Sequence, residues 1–233
     1  MSATVKRALL KRHDYPSREA LAEALAGGVA AVLAGGIATR GRATLAVSGG
    51  STPGPFFRHL SNEPIEWGNV TVLPVDERLV HPGHERSNAR LIAEHLLVGR
   101  AAKARFAPMG ERAGRLGFPD DASLALEGID AIDAVILGMG ADGHTASFFP
   151  GGDALEEATD PAAPLPVMPI RTPDQPEARA TLTMPWIARA RFLALHIEGA
   201  EKRDVFERAV AGEDLPVGRV LAHAPRLDVF WTG

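Results

Sequence analysis

Five short stretches of this chain carry side chains able to move a proton or hold an anion. Asp142 and His144 stand two residues apart in Gly138-Met-Gly-Ala-Asp-Gly-His-Thr-Ala-Ser-Phe-Phe-Pro-Gly151. A histidine titrates near neutral pH, and a neighbouring carboxylate can orient or charge it, which is the chemistry of a general base or acid. A capping histidine and a turn aspartate would fill the same positions with no chemistry at all. Val47-Ser48-Gly49-Gly50-Ser51-Thr52-Pro53 is a Gly-Gly turn among hydroxyls. Such glycines let backbone N–H groups approach an anion, and a following helix start adds unpaired donors. The P-loop lysine is missing, and a tight strand-to-helix turn with Ser/Thr caps is the competing reading. Val75-Asp76-Glu77-Arg78 offers two acids and an arginine, either a surface ion pair or the wall of a cleft. Two cations complete the set: Arg179 in Arg179-Ala-Thr-Leu-Thr183 and Lys202 in Gly199-Ala-Glu-Lys202. Lys202 falls at an expected helix N-terminus, where a cation opposes the helix dipole. A bound phosphate would offset that cost; plain solvation would keep it small.

Two other chemistries fit less well. His81 and His84 flank Pro82-Gly83 in an expected exposed loop and repeat no ligand spacing, so no metal site is expected. Ser48, Ser51 and Ser147 are candidate nucleophiles, but none sits in a G-x-S-x-G elbow.

These residues need a scaffold, and the apolar pattern supplies one. Strands are expected at 44–47, 70–75, 134–137, 192–197 and 227–231. Most are continuous apolar runs, which implies burial on both faces and hence a parallel sheet. Pro74 must lie at a strand end or a bulge. Helices are expected at 17–39 with Ser17 as N-cap, 53–60 with Thr52 as N-cap, 87–98, 120–127, 200–211 and 217–222. Residues 160–169 and 173–176 are proline-rich and read as surface loops flanking an edge strand. The alternation predicts a layered α/β fold. Apart from the Arg179 stretch, each constellation then falls at the carboxyl end of a strand or the start of a helix, where open α/β sheets bind ligands.

Bulk properties narrow the partners. The 233 residues suit one large α/β domain, 1–233, with no repeat or linker dividing it. A net charge of −4 argues against a general nucleic-acid or anionic-membrane surface, so any anionic ligand must be held by a few local cations. There is no cysteine, hence no disulfide or thiolate site. Residues 1–16 carry Lys6, Arg7, Lys11 and Arg12 without a sustained apolar run, so no signal peptide is expected. The apolar stretch 27–38 is too short to span a bilayer. A cytoplasmic location is expected.

The five stretches, in this order and with Ser87-Asn88 after Asp76-Glu-Arg78, resemble the 6-phosphogluconolactonases of the glucosamine-6-phosphate isomerase/6-phosphogluconolactonase family. The likeness runs from about residue 15 to the end. It implies a Rossmann-like, NagB-like three-layer fold with a mainly parallel sheet and helices on both faces. It further implies hydrolysis of 6-phospho-D-glucono-1,5-lactone to 6-phosphogluconate in the pentose phosphate pathway, with no metal or organic cofactor. The expected partner is the phosphosugar lactone alone, and the expected state a monomer or weak homo-oligomer.

Carried onto this chain, the resemblance makes His144 the base on water. Asp142 orients it or contacts sugar hydroxyls. Asp76 and Arg78 line the cleft, with Arg78 alternatively on the oxyanion. Gly49, Gly50, Ser51, Thr52, Arg179 and Lys202 hold the phosphate. Deaminases of the same family carry a glutamate just before the closing Pro-Gly, where this chain has Phe149, and typically end the acidic triplet in tyrosine rather than Arg78. A non-catalytic phosphosugar sensor is the remaining alternative, but sensors of that kind usually add a DNA-binding segment for which this chain has no spare length.

Overall fold

The buried, apolar strands assemble into a seven-stranded sheet in which every neighbouring pair runs parallel. The structure is a computed structural model that describes residues 8–110, 121–173 and 175–233. Lys6, Arg7, the first residue of the expected 120–127 helix and Asp174 lie outside the described residues. Across the sheet the strands are β1 (Leu9–Tyr15), β10 (Arg226–Thr232), β9 (Phe192–Glu198), β6 (Ala134–Leu137), β2 (Ala43–Val47), β3 (Val70–Pro74) and β5 (Arg105–Phe106). β2 and β6 are buried along their whole length, as unbroken apolar runs require. Pro74 is the last residue of β3, where its missing N–H disturbs no further pairing.

Two hydrophobic layers cover the sheet. On one face α1 (Arg18–Arg40), α2 (Gly54–Leu60) and α3 (Asn88–His95) bury Leu25, Val29, Phe56, Phe57 and Ile92 against Leu45, Val47 and Val72. On the other, α4 (Asp121–Ala125), α5 (Leu155–Thr159), α6 (Met184–Ala188), α7 (Ala200–Ala211) and α8 (Pro216–His223) contribute Ala122, Ala158, Ile187, Phe206 and Val220, packed with Leu73, Val135 and Leu195. The alternation of the strand side chains separates the two layers. This is the three-layer α/β arrangement expected. Ser17 caps α1, its Oγ accepting from the Ala20 N–H. α1 is 23 residues long, and by length and composition alone it would suit a membrane span; in the fold its apolar side is taken up by α2, β2 and β10.

Several expectations need correction. Thr52 does not cap α2: Pro53, its backbone already helical at φ −78°, takes the cap position and no side chain bonds there. The stretch 160–169 is not all loop, since β7 (Val167–Ile170) begins inside it. The edge strand anticipated beyond it exists, but it lies earlier and belongs to a second, antiparallel sheet ordered β4 (Asp76–Arg78), β8 (Arg179–Leu182), β7. β1, β4, β5 and β8, with α5 and α6, were not expected. The residues of β4 and β8 carry charges rather than an apolar pattern, and β1 is a charged edge strand.

Candidate functional site

The order of strands places the site. From β2 the chain winds outward through β3 to β5, then returns to the other side of β2 with β6 and continues to β9 and β10. The two windings part between β2 and β6, and a crevice opens there at the strands' carboxyl ends. The Ser48–Pro53 turn leaves β2 and the Gly138–Gly151 turn leaves β6. The two are tied together: the Ser48 N–H donates to the Ile136 carbonyl at 3.0 Å, and the Gly138 N–H donates to Ser48 Oγ at 3.1 Å. Ser48 is thus engaged as a structural acceptor.

Within the β6 turn, His144 Nδ1 lies 2.6 Å from Asp142 Oδ1, and the same oxygen accepts the His144 backbone N–H at 3.1 Å. The bond to His144 holds the Asp142 carboxyl below its ordinary value, with backbone donors assisting against partial burial. With Nδ1–H donating to the carboxylate, Nε2 is left as the free acceptor of the ring. Phe149 stacks on the imidazole, ring centroids 4.1 Å apart at 27°. The turn brings these groups together by unusual backbone. Ala146 adopts φ 51°, and a Cβ on Gly140 would overlap the His144 ring and Asp142. Only glycine leaves the imidazole its place.

The second sheet supplies the opposite wall. Arg78 and Arg179 are direct cross-strand partners in β4 and β8, an arrangement that is unfavourable for like charges unless something anionic separates them. Arg179 is buried; its Nη1 lies 3.5 Å from Asp76 Oδ2 and its Nη2 donates to Gln175 Oε1 at 2.9 Å. Burial pushes its guanidinium below the ordinary value, opposed by Asp76 and reinforced by Arg78. Arg78 Nη1 donates to the Arg86 carbonyl and to Asn88 Oδ1, both at 2.9 Å. The Nε atoms of both arginines are buried without a partner. Buried, unmet Nε donors on two adjacent guanidiniums, one of them buried and the other half-buried, suit a site that takes an anion. Across the inter-ring space, the Arg179 guanidinium lies 4.7 Å from the centre of the Phe149 ring, so Phe149 touches both His144 and Arg179.

A cleft of about 210 Å³ joins these walls, lined among others by Gly49, Gly50, Ser51, Thr52, Asp76, Arg78, His144, Arg179 and Lys202. The ten residues that the resemblance assigned to the site therefore face one crevice except Asp142, which bonds His144 from outside the lining. Lys202 enters from the first turn of α7. Near it, Glu198 is held below its ordinary value chiefly by His196, with Arg18 and Lys202 adding to the effect.

Four more residues take part, in roles the sequence did not give them. Ser147 Oγ donates to Asp76 Oδ2 at 2.6 Å, so it anchors a carboxylate rather than acting as a nucleophile. Asn88 bonds both Asp76 and Arg78. Glu77 is buried and accepts from Ser87 Oγ and from the backbone N–H groups of Arg78, Asn88 and Ala89, pinning the start of α3. Burial raises its carboxyl while those donors oppose the rise. His196 lines the cleft floor. In the sequence Ser147 stood only as a candidate nucleophile, Glu77 as one of two acids and Asn88 as part of the resemblance, while His196 carried no signal. Among the described residues no cluster of metal-ligating side chains occurs.

Comparison with known proteins gives a consistent neighbourhood. A family model described as glucosamine-6-phosphate isomerases/6-phosphogluconolactonase matches residues 16–231. The chain is similar to the 6-phosphogluconolactonase of Rhizobium meliloti (strain 1021), 46% identical over 94% of this chain and 97% of the relative. It is also similar to that of Mesorhizobium japonicum, at 49% over 93% of each. Among solved structures, a 6-phosphogluconolactonase from Shewanella baltica OS155 superposes with a TM-score of 0.89 at 34% identity, covering 99% of this chain and all of the other.

Proposed function

The chain belongs to the glucosamine-6-phosphate isomerase/6-phosphogluconolactonase family, and from that premise we propose that it hydrolyses 6-phospho-D-glucono-1,5-lactone to 6-phospho-D-gluconate. A lactone is an activated ester, so a positioned water, a base and a donor for the tetrahedral oxyanion are sufficient. His144 Nε2 takes the proton as water attacks the lactone carbonyl carbon. Asp142 keeps Nδ1 protonated and steadies the imidazolium that forms. The ring C–O bond then breaks, and the imidazolium returns the proton to the departing sugar oxygen. General-base catalysis of this kind is worth about 10²–10⁴-fold.

The rest of the cleft holds the substrate. The Gly49–Thr52 turn, Lys202 and Arg179 take the phosphate; Arg78 faces the carbonyl end with Asp76 fixed beside it. Anchoring the remote phosphate limits the motion of the reacting carbon, which lowers the barrier further. One observation carries the reading. A histidine backed by a bonded carboxylate, a Gly-Gly turn and cations from three distant stretches of sequence come together at one small crevice at the switch point of a parallel sheet.

Phe149 supports hydrolysis over deamination, since it can neither give nor accept a proton. The apolar side of α1 is occupied within the fold, which argues against its use as a membrane span. The test is a coupled assay of lactone consumption against 6-phosphogluconate formation, with spontaneous hydrolysis subtracted. Ammonia release from glucosamine 6-phosphate at a comparable rate would overturn the assignment in favour of a deaminase.

A further inference from the structure

Asn88 is buried at the first position of α3, where a helix gains nothing from an asparagine. Its amide nevertheless has three partners. Nδ2 donates to the Asp76 carbonyl at 2.7 Å and lies 3.3 Å from Asp76 Oδ1, while Oδ1 accepts from Arg78 Nη1 at 2.9 Å. The same amide lies directly beneath the phosphate-binding turn: a Cβ on Gly49 would overlap Asn88 Oδ1 and Cγ. Gly49 does not adopt a left-handed φ, so nothing in its backbone demands glycine. The demand comes from Asn88. The backbone that carries the amide is pinned as well, because the buried Glu77 carboxylate accepts the backbone N–H groups of Asn88 and Ala89 at 2.8 and 2.6 Å and the Ser87 hydroxyl at 3.1 Å.

We infer that Asn88 is a positioning residue that couples the two halves of the cleft, fixing Arg78 and Asp76 on one wall and setting the height of the Gly49–Gly50 turn on the other. It touches no reacting atom. It acts by keeping the carbonyl-facing guanidinium and the phosphate-facing turn at one fixed separation, the separation a sugar carrying a terminal phosphate must span. This rests on the lactonase reading above.

The test compares the wild-type enzyme with Asn88→Ala, Gly49→Ala and the double variant, using phosphorylated and unphosphorylated gluconolactone. For Asn88→Ala, kcat falls several-fold or more on both substrates because Arg78 loses an anchor. KM rises about tenfold on the phosphorylated lactone alone, because the turn settles into the vacated space. Gly49→Ala by itself raises the same KM, and keeps the test open should Asn88→Ala fold poorly. In the double variant the Gly49→Ala loss largely disappears, since the new Cβ occupies the room the amide left. Inorganic phosphate binding to the four proteins, measured by calorimetry, reads the turn without turnover and follows the same pattern. Losses that simply multiply, or an Asn88→Ala enzyme that is less heat-stable but unaltered in its preference for the phosphate, would overturn the inference. A wild-type protein that binds phosphate in this pattern but leaves the lactone intact would instead count against the lactonase reading.

Discussion

At the scale of single residues, the site depends on what each charged group is bonded to. His144 is useful because Asp142 engages Nδ1 and leaves Nε2 free. Replacing that acceptor in Asp142→Asn lets the amide present either end to the ring, so the proton's place is no longer fixed. The expected loss in kcat is roughly 10–10²-fold, smaller than loss of the base itself. The pH dependence has a definite sign. The Asp142 carboxyl lies below its ordinary value because of its bond to His144. Its contribution to stability is therefore complete above about pH 4, the unfolded carboxylate value, and is lost as the pH falls through the depressed folded value. Acid titrations of stability should show wild type and Asp142→Asn converging in that window, and parallel curves throughout would contradict the pairing. In the proposed reading Lys202 and Arg179 hold the other end of the substrate. Lys202→Ala or Arg179→Ala should raise KM for the phosphorylated lactone about tenfold or more, as loss of a charged hydrogen bond implies. Equal effects on an unphosphorylated lactone would remove them from the phosphate site.

At the scale of elements, the same crevice explains why some parts of the fold were legible in the sequence and others were not. β2 and β6 are buried along their whole length, and β9 and β10 over most of theirs, so these strands are largely apolar and announce themselves. β4 and β8 are strands whose side chains, Asp76, Arg78 and Arg179, are committed to the site; their charges hide the strand pattern. The candidate residues were readable because glycine turns and paired charges are rare together. The roles of Asn88 and Ser147 were not, because one polar residue means little until topology brings it against Asp76. The turn after β6 makes a sharp prediction. A methyl group on Gly140 meets the His144 ring, and its backbone is otherwise free to accept alanine. Gly140→Ala should lower kcat by at least about tenfold through misplacement of the base, with circular dichroism unchanged. A fully active variant would show that the ring position does not matter.

At the scale of the whole molecule, the cleft joins both windings of the sheet and the second sheet, so filling it links parts of the fold that otherwise meet only through the core. A ligand at 100 times its Kd stabilises the folded state by about 2.7 kcal/mol. For a chain of this length that corresponds to a rise in Tm of roughly 5–10 °C. 6-Phosphogluconate should produce this shift and unphosphorylated gluconate at the same concentration should not; equal shifts would mean the phosphate is not the anchor. The central claim is that water is activated at His144. The most direct measurement is the rate of 6-phosphogluconolactone hydrolysis by wild type and His144→Ala, each corrected for the spontaneous reaction, beside the affinity of each for 6-phosphogluconate. The account predicts that kcat drops about 10²–10⁴-fold while the affinity stays within a few-fold. A His144→Ala enzyme that hydrolyses the lactone at the wild-type rate would contradict it.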